Sequence, residues 1–287
     1  MDQCLTLSQL VPTSNSTIET LVQGNGPVLV VLPSYGRDGG SDFDEFSALV
    51  VRAGMCVLRP QPRGIGRSTG SMRISLQDMA DDVAEVIRKL GAARAVVLGH
   101  AFGNGVARLL ATTHPDLIEG TILAAASTQG ASAETSETPF IAGDPSRPES
   151  DRLEALRRGF FAPHHDPRPW LEGWHPATLK MQRKAVEEAE SNFFNKAGTA
   201  PILQIIAESD PFSPYQTWRT LRDECGDRVT ARIVADASHA LFPEQTPFVA
   251  ETVIQWLNWL RNTPQPSHTP LATSHQTSIR KEEQNHV

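Results

Sequence analysis

The stretch "VVLGHAFGNGVA", residues 96–107, decides the fold of this chain. Apolar residues lead into Gly99 and a helix-compatible run follows Gly103, which predicts a buried strand, a tight turn and the start of a helix. A serine at position 101 would complete the Gly-x-Ser-x-Gly pattern of a nucleophile elbow. The residue there is Ala101, whose methyl group cannot attack a carbonyl. The stretch therefore predicts a local fold and leaves its chemistry open.

The surrounding chain alternates between apolar runs and amphipathic segments. Short continuous apolar runs are typical of strands buried on both faces of a parallel sheet. Such strands are predicted at residues 26–33, 55–60, 93–99, 120–127, 200–209 and 229–236. Helices are predicted between and after them, at residues 76–90, 103–114 and 247–261. The alternation predicts an α/β protein with a mostly parallel sheet flanked by helices.

One long segment interrupts this alternation. Residues 128–199 are rich in Ser, Pro, His and charge and then become helix-like, which favours a small helical cap over a structureless loop. The segment after residue 262 is polar and contains prolines, which favours disorder. The predicted organisation is a lead-in over 1–19, an α/β core over 20–127 and 200–262, the cap, and a disordered tail over 263–287.

The composition excludes several classes of function. The net charge of −7 argues against nucleic-acid binding, because neutralising phosphates needs a basic surface. Three scattered cysteines without a C-x-x-C pair favour a reducing compartment over a disulfide framework. No signal peptide and no apolar run long enough for a membrane span are predicted, so we expect a cytoplasmic protein. Its oligomeric state is left open by the sequence.

Two residues suited to acid–base chemistry follow the last two predicted strands. Asp210 lies in "AESDPFSP" and His239 in "DASHALFPEQ". Parallel strands deliver such residues to the carboxyl edge of the sheet, where ligands usually bind. Asp210 would accept a hydrogen bond from one ring nitrogen of His239 and leave the other nitrogen as a base. The structural alternatives are a packing role for His239 and a turn-capping role for Asp210.

Five stretches, taken together and in this order, resemble the α/β-hydrolase superfamily over roughly residues 20–262. They are "VVLPSYGRDG" (30–39), "RPQPRGIGRST" (59–69), "VVLGHAFGN" (96–104), "IIAESDPFSP" (205–214) and "ASHALFPEQ" (237–245). The second is similar to the D-x-x-G-x-G-x-S stretch of that family. Position 101, Asp210 and His239 follow the family's chain order of nucleophile, acid and histidine.

The resemblance implies an oxyanion hole built from two backbone N–H groups. By position these belong to Phe102, directly after the nucleophile position, and to Tyr35 in the loop after the first core strand. Two departures from the family stand out: Ala101 replaces the nucleophile, and Pro33-Ser34-Tyr35-Gly36 stands where the family often has His-Gly. Backbone donors survive a change of side chain, so the hole is expected to persist.

The predicted cap carries aromatic residues that suit a lid over an apolar pocket. We expect Phe160, Phe161, Trp170 and Trp174 to contact substrate together with Ser34, although the aromatic residues would equally form the cap's own core. A nearby group of histidines lacks the helical spacing of a zinc site. The Gly-Ile-Gly at 64–66 lacks the Lys-Ser/Thr of a P-loop and the spacing of a dinucleotide fingerprint. We expect no metal, nucleotide or flavin cofactor.

Three hypotheses explain the alanine. In the first, the chain is a hydrolase for a small, largely apolar ester, lactone or amide, with Ala101 as a natural variant or as an inactivating replacement of serine. In the second, His239 and Asp210 perform cofactor-free acid–base chemistry as a lyase, an isomerase or a water-activating hydrolase. In the third, the protein is a ligand-binding pseudohydrolase. A pure binder has no need of an oriented Asp–His pair, which ranks the third last.

Overall fold

The computed structural model describes residues 5–126, 131–189 and 197–263. Within these ranges, nine strands form a single sheet with the order β1-β2-β4-β3-β6-β7-β8-β9, and β5 pairs with β2. The strands are β1 Thr6–Pro12, β2 Ser16–Gln23, β3 Val28–Leu32, β4 Cys56–Pro60, β5 Thr69–Gly70, β6 Ala95–His100, β7 Ile118–Ala124, β8 Ile202–Ala207 and β9 Val229–Val234.

All six predicted strands form, and they run parallel to one another from β4 through β3, β6, β7, β8 and β9. Every residue of β6 and of β8 is buried, as expected for central strands covered on both faces. The mostly parallel sheet predicted from the apolar runs is therefore confirmed.

Strands β1 and β2 were not predicted. They pair antiparallel, and β2 continues antiparallel onto β4. Six of the seven residues of β1 are exposed, because this strand lies at the edge of the sheet. Strand β1 carries no continuous apolar run, so its sequence lacked the signal used for the predicted strands. Much of the segment predicted as a lead-in is thus part of the sheet.

Helices cover both faces of the sheet. They are α1 Ser41–Arg52, α2 Leu76–Lys89, α3 Phe102–Thr113, α4 Ala133–Ala142, α5 Glu149–Gly159, α6 Pro176–Glu187, α7 Thr220–Cys225 and α8 Leu241–Asn262. Helices α1 and α8 bury their apolar residues in a core on one face, and α2 and α3 do so on the other. Helix α8 begins six residues earlier than predicted and is kinked at Gln245, two residues before Pro247.

Helix α2 shows why one boundary was predictable. The Ser75 hydroxyl accepts a hydrogen bond from the Asp78 N–H at 3.1 Å, and the Asp78 carboxylate accepts one from the Ser75 N–H at 2.8 Å. This reciprocal capping box satisfies two N–H groups that the helix start would otherwise leave unpaired. The cap residue therefore fixes where α2 begins.

Helices α4, α5 and α6 occupy the interruption between β7 and β8 and lie over the carboxyl edge of the sheet. Backbone hydrogen bonds join this insertion to loops of that edge, from His175 N–H to Gly36 and from Ala240 N–H to Phe160, each at 2.8 Å. The predicted tail lies, apart from Thr263, outside the described residues. Among the helices that the structure describes, none combines the length and apolarity needed to cross a bilayer.

Candidate active site

The turn between β6 and α3 holds Ala101 in an unusual backbone conformation. Its φ is +51° and its ψ is −113°, a region that residues with a Cβ rarely adopt. Its N–H donates to the Ala124 carbonyl at 3.0 Å, and its own carbonyl accepts from the Asn104 N–H at 3.0 Å. These two bonds to neighbouring elements hold the turn in place.

Two glycines make the turn possible. A Cβ on Gly99 would stand 2.4 Å from the Gly103 carbonyl oxygen, and a Cβ on Gly103 would stand 2.4 Å from the Leu32 carbonyl oxygen. Both distances are far below van der Waals contact, so only glycine fits at either position. The turn therefore depends on backbone packing, and the side chain at position 101 takes no part in building it.

His239 and Asp210 form a buried pair at the ends of neighbouring strands. His239 Nδ1 lies 3.0 and 3.1 Å from the two carboxylate oxygens, and the side chains are 5% and 0% exposed. The carboxylate is itself oriented, because Oδ1 accepts the Phe212 N–H at 2.9 Å. His239 Nε2 makes no hydrogen bond to any residue in the described part of the chain. The second ring nitrogen is thus left available as a base.

His100 connects the turn to this pair. Its Nε2–H donates to the His239 backbone carbonyl at 2.7 Å, and its ring lies 5.8 Å from the His239 ring. Complete burial and the neighbouring His239 lower the pKa of His100 to about 3. A neutral imidazole that donates from Nε2 has no proton on Nδ1, so the contact also fixes the tautomer. The G-x-x-x-G pattern drew attention to position 101 and gave no signal for this contact.

Glu244 fixes the loop that carries His239. Its carboxylate accepts the Ser238 N–H and the Ala162 N–H, each at 2.6 Å. Burial raises the pKa of Glu244, although the two hydrogen bonds favour the charged form. One side chain thereby joins the His239 loop to the segment that follows α5. The sequence did not predict a role for Glu244, since the only signal was an acidic residue at an otherwise apolar helix start.

A cavity of about 280 Å³ brings most of the predicted site residues together. Its wall includes Ser34, Tyr35, Ala101, Phe102, Phe160 and His239. Asp210 is bonded to His239 directly behind this wall. Two aromatic residues that were not predicted, Phe140 and Phe212, complete the apolar lining. The size and the mostly apolar lining suit a small organic molecule.

Three of the predicted aromatic contacts lie elsewhere. Phe161, Trp170 and Trp174 pack together in the core of the insertion and do not line this cavity. The Arg37 guanidinium lies 4.3 Å from the Trp170 ring centroid and 5.3 Å from that of Trp174, and Trp170 Nε1 donates to Asp42. The two indoles thus pack against a buried cation, and Trp170 also bonds the carboxylate partner of that cation, outside the cavity lining. Substrate contact by these three residues therefore stays a prediction, which the lining of this cavity does not support.

The two residues that carry the predicted backbone donors pack against each other through their side chains. The Tyr35 and Phe102 rings are 4.6 Å apart, centroid to centroid. Neither backbone N–H makes a hydrogen bond to another residue that the structure describes. Burial raises the pKa of the Tyr35 phenol, which is therefore neutral at ordinary pH. Both residues line the cavity that His239 also faces.

A family model described as alpha/beta hydrolase fold matches residues 27–246. The "Putative carbamate hydrolase RutD" of Caulobacter vibrioides is 40% identical over 98 residues, covering 32% of this chain and 36% of that protein. The sn-1-specific diacylglycerol lipase ABHD11 of Mus musculus is 29% identical over 124 residues, covering 42% of this chain and 40% of that protein. The matches thus span well under half the length of these curated relatives.

Solved structures extend the similarity over most of the chain. An esterase from Exiguobacterium antarcticum superposes with a TM-score of 0.73 at 17% identity, covering 87% of this chain and 98% of that one. E-2-(Acetamidomethylene)succinate hydrolase gives a TM-score of 0.71 at 16% identity, covering 88% and 100%. At such low identity these likenesses concern the fold alone.

Proposed function

The chain belongs to the alpha/beta hydrolase family, and we propose that it hydrolyses small, largely apolar esters, lactones or amides. The observation that carries this proposal is the buried His239–Asp210 pair, which faces the same cavity as Ala101. An oriented imidazole beside an apolar cavity supplies a base to a bound molecule. The family match and the names of the relatives, which include an esterase and a lipase, support acyl compounds as substrates.

In the proposed reaction, water takes the role of the missing nucleophile. The Ala101 side chain ends at Cβ, so a water molecule can stand where a serine oxygen would lie. The water gives a proton to His239 Nε2 while its oxygen forms a bond to the carbonyl carbon of the substrate. Asp210 stabilises the imidazolium that results. No covalent bond to the protein is formed.

The second half of the reaction uses the backbone. The carbonyl oxygen becomes an oxyanion, and we assign its stabilisation to the N–H groups of Phe102 and Tyr35. When the tetrahedral intermediate collapses, its bond to the leaving group breaks and His239 returns the proton to that group. Helices α4, α5 and α6 serve as the cap, with Phe160 on the cavity side.

Ala101 itself favours a second candidate function. A site with a base and an anion-binding backbone but no nucleophile also suits removal of a proton from an acidic carbon, with the N–H groups holding the enolate. This lyase or isomerase chemistry uses the same residues in the same roles. The two candidates differ in whether an acyl bond is broken.

The test compares the chain with Ala101→Ser on short p-nitrophenyl esters and lactones, with a serine-reactive phosphonate as a covalent reporter. We expect slow turnover without labelling for the chain itself, because water attacks. We expect faster turnover with labelling for Ala101→Ser, because the new hydroxyl lies beside the imidazole. His239→Ala should abolish the first activity, and Ala101→Ser combined with His239→Ala should not label.

Each contrary result has a defined meaning. If the chain is inert and only Ala101→Ser is active, the scaffold suits acyl transfer but water attack is wrong. If neither form hydrolyses any ester or lactone, the cavity is not built for acyl transfer and proton abstraction takes its place. Full turnover in His239→Ala would contradict the role given to the imidazole in both candidates.

A further inference from the structure

The outer wall of the cavity carries three charged side chains. Arg183 of α6 lies 3.1 Å from a carboxylate oxygen of Glu137 of α4 and 2.8 Å from one of Glu187, one turn along its own helix. All three line the cavity, and their side chains are 42 to 60% exposed. They therefore lie where the cavity meets solvent. We refer to Glu137, Arg183 and Glu187 as the rim cluster.

The rim cluster is negative overall, because two carboxylates surround one guanidinium. The guanidinium has little capacity left for an anionic ligand, since it is bonded to both carboxylates and also lies 4.3 Å from the Phe140 ring centroid. An incoming carboxylate would have to displace one of its partners and approach the other. Apart from His239 and the neutral Tyr35 phenol, no other described residue that lines the cavity has an ionisable side chain.

The inner wall is mostly apolar and offers neutral hydrogen-bonding groups. Phe102, Phe140, Phe160 and Phe212 supply most of its ring surface. The Tyr35 hydroxyl makes no hydrogen bond within the described chain, so it is free to bond a neutral polar group of a ligand. An aromatic interior behind a negative rim matches an uncharged ligand better than an anion.

We propose that the rim cluster makes this cavity select uncharged acyl compounds over carboxylate-bearing ones. The inference rests on the proposed function and narrows its substrate class to neutral esters, lactones or amides with an aromatic or alicyclic body. Because the rim charges are partly solvated, their effect on affinity is moderate and depends on ionic strength.

The test measures binding, so it does not require turnover. Phenylacetamide and phenylacetate form a matched neutral and anionic pair, and their dissociation constants are measured at pH 8 by ligand-observed NMR. We expect the amide to bind about threefold to tenfold more tightly at low salt, and the preference to shrink at 0.5 M salt, where the Debye length is about 4 Å. Circular dichroism checks that each variant is folded.

Variants then assign the preference to the rim. The double variant Glu137→Gln, Glu187→Gln leaves Arg183 unpaired, and we expect the amide-to-acid preference to change by about tenfold in favour of phenylacetate. Glu188→Gln is the matched control, because Glu188 pairs with Lys184 on the same helix and does not line the cavity. It should leave the preference unchanged.

The outcomes separate this inference from the proposed function. Equal shifts in the double variant and in Glu188→Gln, or a preference that salt does not change, would overturn the role of the rim cluster alone. Failure of both probes to bind at millimolar concentration would overturn the cavity as a small-molecule site, and the proposed function with it.

Discussion

The turn at Ala101 and the loops that carry Asp210 and His239 lie at the same edge of the sheet. Backbone packing holds the turn, whereas side-chain hydrogen bonds hold the loops. The turn depends on glycines whose neighbours stand 2.4 Å from where a Cβ would be. The loops depend on side chains, with a carboxylate held by the Phe212 N–H and an imidazole held by that carboxylate. The shape of the turn therefore does not require a reactive side chain at position 101, whereas the Asp210 and His239 side chains hold each other in place and Glu244 fixes the loop around His239.

His100 joins these two regions. It directly precedes Ala101 in the turn and donates its Nε2–H to the carbonyl of His239. The turn thus helps to hold His239, the proposed base, in place. Under the proposed function, this contact gives a physical reason for the turn to remain intact although it carries no nucleophile.

The largest expected effect is on the rate of hydrolysis and comes from disrupting the hydrogen bond between Asp210 and His239. In Asp210→Asn, the amide oxygen would accept the Phe212 N–H, as Oδ1 does now, and the NH₂ group would face His239 Nδ1. That group forces the wrong tautomer on the imidazole, so we expect the rate to fall by about 10²- to 10⁴-fold. Ester hydrolysis is measured in whichever of the parent and Ala101→Ser forms turns over.

Asp236→Asn is the matched control for this change. Asp236 also faces a histidine, with its carboxylate 3.3 Å from His165, but it is about half exposed and does not line the cavity. It should keep the parent rate. Similar rates for the two Asn variants would show that the Asp210 carboxylate does not orient the base.

A smaller effect, on stability, is expected at His100, which joins the turn to the His239 loop. The folded pKa of His100 is about 3, below the ordinary 6.5, so the unfolded chain takes up more protons as the pH falls. The parent should therefore lose stability below pH 6.5, by about 2 kcal/mol at pH 5 from this residue. His100→Gln retains an N–H donor and lacks the titration, so its stability should fall less.

Urea unfolding of both proteins at pH 8 and pH 5 measures this difference. The two should have similar free energies of unfolding at pH 8, because an amide can replace the bond to the His239 carbonyl. Parallel losses of stability between the two pH values would contradict a neutral, buried His100.

The smallest effect is expected at the backbone of the turn. Ala101→Gly should raise the free energy of unfolding by about 1 kcal/mol, because glycine adopts a φ of +51° without the strain that a Cβ causes. Ala107→Gly in α3 is the opposite case, because a buried alanine in ordinary helical conformation is better than glycine there. Urea unfolding should show opposite signs for the two, and equal destabilisation would mean that the turn is unstrained.

The sequence predicted those elements whose local pattern and tertiary environment agree. Central strands are buried on both faces, so their apolar runs were sufficient evidence. Strand β1 is an edge strand with six exposed residues, and its apolar residues form no run longer than two. The capped start of α2 was predictable because the capping groups are three residues apart. The early start of α8 was not predictable. Pro247 is typical of a helix start, but here it lies inside the helix, two residues after the kink at Gln245.

The site divides along similar lines. Tyr35, Phe102 and His239 line one cavity, and Asp210 lies directly behind His239. All four follow sheet strands, and the parallel sheet fixes where those strands end. The aromatic residues of the insertion do not follow sheet strands, so the sheet does not fix their positions. Trp170 and Trp174 pack against the guanidinium of Arg37, a residue that is far from them in sequence. No local pattern carries that information.

The backbone of the turn does not depend on which side chain stands at position 101, and this has an evolutionary consequence. The glycines and backbone bonds that hold Ala101 would hold a serine in the same conformation. Alanine codons of the form GCN become serine codons by a single base change to UCN. A serine at position 101 is therefore one nucleotide away. If the proposed function holds, a lineage could exchange water attack for attack by serine, in either direction, without rebuilding the fold.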